Sequence, residues 1–321
     1  MKANRKKLFN LLRIAVSLVL IVVILLSVDA NALWREIKHA QPWYVAAALV
    51  VSLIGVLVRA VRWQILLHDQ GVPASLRELT GLWFISFLFS NLLPSGIGGD
   101  AIKAYELSRS TKQGPQVVST VLVDRFMGLF ALQAIALIAL VFSWRLIPLQ
   151  IIILSLVIFG VSLLVAWVVS SKPVWSGLAQ RLPLFARFLA IKSVNGLVNS
   201  LQSYSRSALL RSFAVGLAFN ALLITMNILL GAALGANLAV AYYMVFVPIT
   251  SVVLVAPISF AGLGVREGTY VFLFTQAGLA QEVALSLALM VYVIGTMAPG
   301  VIGGLIYLLR GARSYRAAEG S

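Results

Sequence analysis

The chain has 321 residues, of which 61% are hydrophobic and 11% charged, and its 25 Lys+Arg against 10 Asp+Glu give a formal charge of +15. Soluble domains carry about 25% charged residues, and a mean hydropathy of +0.99 means more apolar surface than a water-soluble core can hide. There is no cysteine, and the histidines are His39 and His68, which excludes disulfides, thiolate metal sites, Cys nucleophiles and a His-rich metal centre. No G-x-x-x-x-G-K-[ST] run is present, so the chain carries no P-loop of its own and no cofactor is expected. The Lys/Arg excess reads as cytoplasmic loops beside anionic lipid rather than as a nucleic-acid surface.

The apolar residues fall in runs close to the ~20 that cross a bilayer as a helix. The predicted fold class is an all-α polytopic integral membrane protein, a single domain over residues 1–321. Lys2, Arg5, Lys6, Lys7 and Arg13 precede the apolar stretch Ile14–Val28, which reads as a cytoplasmic N-terminus and a first span; a cleavable signal peptide ending at Ala30-Asn31-Ala32 is the rival. A second span runs from Trp43 to about Leu67, where Arg59 and Arg62 are expected to snorkel to the headgroups. Arg77–Leu93 is a shorter apolar helix halted by Pro94, and Asp100–Gln113 is a polar helix with Lys103, Arg109 and Lys112. Those cations favour a re-entrant hairpin that returns to the cytoplasm over a full crossing.

Pro115–Trp144 and Leu146–Ser170 are predicted to cross outward and back. The basic connection 171–206 is then cytoplasmic, and Val194, Leu197, Val198 and Leu201 mark an amphipathic helix on the inner surface. Ser207–Leu234 crosses again, Asn237–Ala256 and Arg266–Ala277 form a second broken element, and Gln281–Leu309 leads back to Arg310, Arg313 and Arg316. The sum is six full spans and two re-entrant hairpins, about eight hydrophobic segments, with both termini in the cytoplasm. Units 43–144 and 207–309 each read helix, broken hairpin, helix, the order expected of an inverted repeat.

The broken elements carry the polar chemistry. The first reads Asn91-Leu-Leu-Pro94-Ser-Gly96-Ile-Gly98-Gly99-Asp100-Ala-Ile-Lys103, and the second Pro257-Ile-Ser-Phe-Ala-Gly262-Leu-Gly264-Val-Arg266-Glu267. Proline ends a helix, glycine allows positive φ and close backbone approach, and the helix that follows offers N–H groups suited to a phosphate. Simple kinks, with Asp100 as an N-cap, are the plainer reading. Asp124-Arg125 lies within an apolar span, where charge is retained with a partner or along a path. It reads as a structural ion pair or as a phosphate clamp, Arg125, with Asp124 orienting it. Gly231/Gly235 and Gly300/Gly304 are spaced to bring helices close.

Asn91-Leu-Leu-Pro94 with Gly98-Gly99-Asp100, Asp124-Arg125 with Gly128-Leu129, and Pro257 with Gly262-Leu-Gly264-Val-Arg266-Glu267 together resemble the transmembrane flippase-like domain of lysylphosphatidylglycerol synthases. The chain ends about a dozen residues after the last predicted span, so the resemblance implies a stand-alone member without the soluble synthase domain. It implies translocation or handling of an anionic or aminoacylated phospholipid at the cytoplasmic (inner) membrane, not driven by ATP, with a separately encoded lipid-modifying enzyme as a partner. On that reading the basic residues take the phosphate, and Asp100 and Glu267 meet an ammonium group or a coupling ion. A membrane-embedded enzyme using Asp100, Asp124 or Glu267 on a lipid phosphate, and a secondary transporter of a small solute, are the alternatives.

Overall fold

A backbone inside hydrocarbon finds no water, so each spanning segment must bond its own amides, and a helix does this within one segment. The structure is a computed structural model and describes residues 36–92, 98–181, 191–255 and 262–319. All regular elements among the described residues are helical: α1 Pro42–Asp69, α2 Leu76–Leu92, α3 Gly98–Thr111, α4 Gly114–Ser143, α5 Leu149–Ser170, α6 Lys172–Arg181, α7 Lys192–Leu201, α8 Arg206–Ala233, α9 Val240–Val253, α10 Val265–Gln276, α11 Gln281–Tyr292, a π-helical turn Val293–Met297, and α12 Ala298–Glu319.

Among the described residues, α1, α4, α5, α8 and the run Gln281–Leu309 are long and apolar enough to cross a membrane, and α9 is a shorter apolar helix. These five match the expected spans after the first, so the protein is a polytopic, all-helical membrane protein. The first apolar segment, Ile14–Val28, lies outside the described residues, as do Pro94, Gly96 and Pro257. Local sequence explains the boundaries. Pro115 stands in the first turn of α4, where its missing N–H costs nothing. Pro148 caps α5 with an extended backbone, ψ 139°.

The chain divides into two compact units. The first comprises residues 1–57, 80–103 and 221–321. Within it α9 packs on α10 and α10 on α11, and aromatic rings fill the contact: Phe274 meets Tyr243, Phe246 and Tyr270 with centroids 5.2–5.4 Å apart. Gly303 lies so close to the α2 backbone at Phe84 that it could not carry a Cβ, and a Cβ on Gly300 would meet the Asn91 side chain. The expected partner of Gly300 was Gly304, which makes only ordinary contact with Leu88; the tight approach follows residues three apart. Gly231 is packed against Tyr243, whereas Gly235 has φ +71° and no neighbour, and so serves the turn after α8.

The second unit comprises residues 58–79 and 104–220. Here α4 packs on α5 and on α7. Phe130 stacks with Phe126 and Phe159 at 5.9 and 5.4 Å. The α7 helix is docked on α4, with Gly196 against Pro115 and Ser200 Oγ 2.7 Å from Ser119 Oγ. Ser119 also lies 2.7 Å from the Tyr204 hydroxyl. Ser200 donates to Gln70 at 2.6 Å, and Asp69 accepts from the Ser205 backbone at 2.9 Å. Burial pushes the Tyr204 phenol above its ordinary value, so it stays protonated and can donate.

Candidate functional site

In the first unit, α10 begins on glycines whose backbone demands the absence of a side chain. Gly262 and Gly264 have φ +78° and +79°, a region that costs an L-residue ~1–2 kcal/mol. The turn delivers Arg266 and Glu267 to a buried position, at 9% and 4% exposure. Glu267 Oε2 accepts the Gly264 N–H at 2.6 Å, the half of a capping box in which the N3 carboxylate reaches back to the N-cap. The Arg266 N–H is bonded to the Gly262 carbonyl at 3.0 Å. The helix terminus was expected to present these N–H groups to an anion. The protein's own carboxylate and carbonyl take the Gly264 and Arg266 N–H groups.

That side chain is incompletely satisfied. Its guanidinium carbon sits 4.6 Å from the centroid of the Tyr292 ring, and among the described residues Nη1 of Arg266 and Oε1 of Glu267 are buried with no hydrogen-bond partner. An unpaired buried polar group costs about 1–3 kcal/mol, and a charged one more. Two such atoms on consecutive residues leave one donor and one acceptor open among the described residues. The Tyr292 hydroxyl donates to Asn91 Oδ1 at 2.9 Å, and Asn91 Nδ2 donates to the Phe87 and Thr296 carbonyls at 3.0 and 3.3 Å. One turn beyond Arg266, Tyr270 donates to Asn227 at 2.6 Å.

The first broken element is arranged differently. Gly98 and Gly99 open α3, and Gly99 lies against Ser86 and Ser90 with no room for a Cβ; close approach, not positive φ, is what it supplies. Asp100 was expected to meet an ammonium group, and the ammonium it meets is the chain's own: Lys103 Nζ is 2.9 Å from Asp100 Oδ1. Lys103 is 1% exposed and covers the Trp83 ring at 3.4 Å.

In the second unit, Asp124 is paired with Arg62, not with its neighbour Arg125. Arg62 Nε and Nη2 lie 2.7 and 3.0 Å from the two carboxylate oxygens, and both residues are buried, at 4% and 1% exposure. Arg62 therefore does not snorkel. Gly128 makes the pairing possible, because a Cβ there would stand 2.6 Å from Arg62 Nη1, and the Gly128 carbonyl accepts from Asn220 at 2.8 Å. Phe219 lies under Arg59 at 4.2 Å and Arg62 at 5.8 Å. Arg125 itself is half-buried. Sequence reasoning missed Arg62, Tyr292 and Asn227. The signal for Arg62 was present: a carboxylate at depth requires a cation, and Arg62 ends the preceding full span. Tyr292 and Asn227 had no signal beyond being polar in apolar runs.

Comparison with known proteins gives a consistent result. Residues 10–303 match the family described as the lysylphosphatidylglycerol synthase TM region. A UPF0104 membrane protein of Methanothermobacter thermautotrophicus is 23% identical over 300 residues, 84% of each chain. A UPF0104 membrane protein of Pyrococcus horikoshii is 25% identical over 140 residues, 43% of this chain and 41% of the relative.

Proposed function

Because this chain belongs to the lysylphosphatidylglycerol synthase TM-region family, we propose that it translocates or handles an anionic or aminoacylated phospholipid, with Arg266 receiving the phosphate. The observation that carries the reading is the buried Arg266 guanidinium, whose Nη1 lacks a partner among the described residues while an aromatic face covers the cation. A lipid phosphate would complete its bonding with a charge-assisted hydrogen bond. Glu267 Oε1, buried and unpartnered beside it, would take an amine where the headgroup carries one. The order of helices supports two related units: 28, 17, 14 and 30 residues in α1–α4, then 28, 14 and 12 in α8–α10 before a 29-residue last span. We read these as inverted repeats in the cytoplasmic membrane, with both termini inside and a separately encoded lipid-modifying enzyme as the partner.

An enzymatic reading is weaker, since Asp100 and Asp124 are each engaged by a cation and neither is poised as a general base. The test is lipid retention on the purified chain, read by native mass spectrometry after reconstitution with phosphatidylglycerol. Arg266→Gln is expected to lower retention by about tenfold or more, corresponding to ~1.4 kcal/mol, while Lys112→Gln leaves it unchanged. Equal retention by Arg266→Gln and the parent protein would refute the anion site. A separate arm adds inorganic phosphate: displacement of the lipid would redirect the reading to a soluble anion. Glu267→Gln keeps an acceptor for the Gly264 N–H but removes the charge, and is expected to reduce preference for an aminoacylated lipid over phosphatidylglycerol.

A further inference from the structure

The geometry points to Asn91 as a positioning residue that ties the first broken element to the anion site of the second, acting through the Tyr292 ring. The inference rests on Arg266 being the group that binds phosphate.

The last span is interrupted by a π turn at Val293–Met297, beginning directly after Tyr292. π turns are rare inside α-helices and concentrate at functional sites. Here two carbonyls of the turn are held from other segments of the same unit: Ser52 Oγ donates to Ile294 O at 3.0 Å and Asn91 Nδ2 to Thr296 O at 3.3 Å. Asn91 uses both ends of its amide, since Oδ1 also accepts from the Tyr292 hydroxyl at 2.9 Å. A carboxylate could not donate to the carbonyl, and an apolar residue could do neither. The packing is cleared for this contact, because a Cβ on Gly300 would stand 2.7 Å from Asn91 Nδ2. One amide thus fixes the backbone after Tyr292 and the far end of its ring. The face of that ring is what Arg266 rests on, at 4.6 Å. The ring quadrupole attracts the guanidinium and favours one orientation of a side chain with many rotamers. Asn91 therefore sets where the guanidinium points without touching the lipid.

The test is a double-mutant cycle on the purified full chain, with phosphatidylglycerol titrated and binding followed by native mass spectrometry. Tyr292→Phe keeps the ring and removes the hydroxyl, so it cuts the link even if Asn91→Leu fails to fold. Either variant is expected to raise the Kd about three- to tenfold. On an Arg266→Gln background, Tyr292→Phe is expected to cause no further loss, because the residue it positions is gone. A purely structural role would lower binding by the same factor in both backgrounds; that result, or normal binding by Tyr292→Phe in the parent protein, overturns the positioning role and leaves the anion site standing. Normal binding by Arg266→Gln overturns the anion site and the positioning role together.

Discussion

Arg62 and Arg266 show two ways to keep a guanidinium out of water. Arg62 is matched by a buried carboxylate through two parallel bonds, and its plane is accommodated by the missing side chain of Gly128. Arg266, with the face of Tyr292 as its described side-chain partner, is the one proposed to bind a phosphate. The two predict opposite phenotypes. Asp124→Leu strands the Arg62 charge and is expected to destabilise the protein by about 3–5 kcal/mol, whereas Arg62→Met with Asp124→Leu recovers most of that loss. Thermal unfolding in detergent measures both, and an unchanged midpoint for Asp124→Leu would show that the pair is not structural. Asp124 was legible in the sequence as a carboxylate that needs a partner. Its partner was not, because adjacency on the chain is misleading in a helix: residues i and i+1 do not face each other, so Arg125 cannot be the mate of Asp124, while Arg62, 62 residues away, can.

Among elements, the spans were legible from apolar run length, and the boundaries of α1, α4, α5 and α8 follow directly; Pro94 and Pro257, which mark the expected breaks, lie outside the described residues. What glycine does at each break was not legible, because positive φ and close approach use the same residue. Gly262 and Gly264 serve the first purpose, and Gly99, Gly300 and Gly303 the second. Gly303→Ala would drive a methyl into the Phe84 backbone and is expected to cost about 1–3 kcal/mol, the range for overpacking. Gly160→Ala, where the site of the new methyl is open, is expected to be neutral or slightly stabilising in the same thermal measurement. Equal effects at the two positions would refute the close approach of α12 to α2. The same limit explains α7. Its apolar stripe predicted a face that needs covering, but periodicity cannot distinguish lipid from the flank of α4, and Ser119 and Ser200, which join α7 to α4, are polar residues with no periodic signal.

For the whole molecule, charge placement predicts an orientation. The basic residues of the segments 103–112, 172–211 and 310–316 are expected on the cytoplasmic side. The chain has no cysteine, so a single cysteine at position 112 can be probed with an impermeant reagent. It is expected to stay unlabelled in intact cells and to react in inside-out vesicles; labelling from outside would invert the topology. The fold class needed only hydropathy, whereas the contact between Arg266 and Tyr292, on which the proposed anion site rests, is announced by no pattern in the chain. The central claim is that Arg266 receives the phosphate of a lipid in transit. Its most direct test is the rate at which fluorescent phosphatidylglycerol changes leaflet in proteoliposomes containing the purified protein. Arg266→Gln, folded and inserted, is expected to slow that rate by about tenfold or more, with Lys112→Gln at the parent rate. A folded Arg266→Gln protein that moves the lipid as fast as the parent would contradict the account.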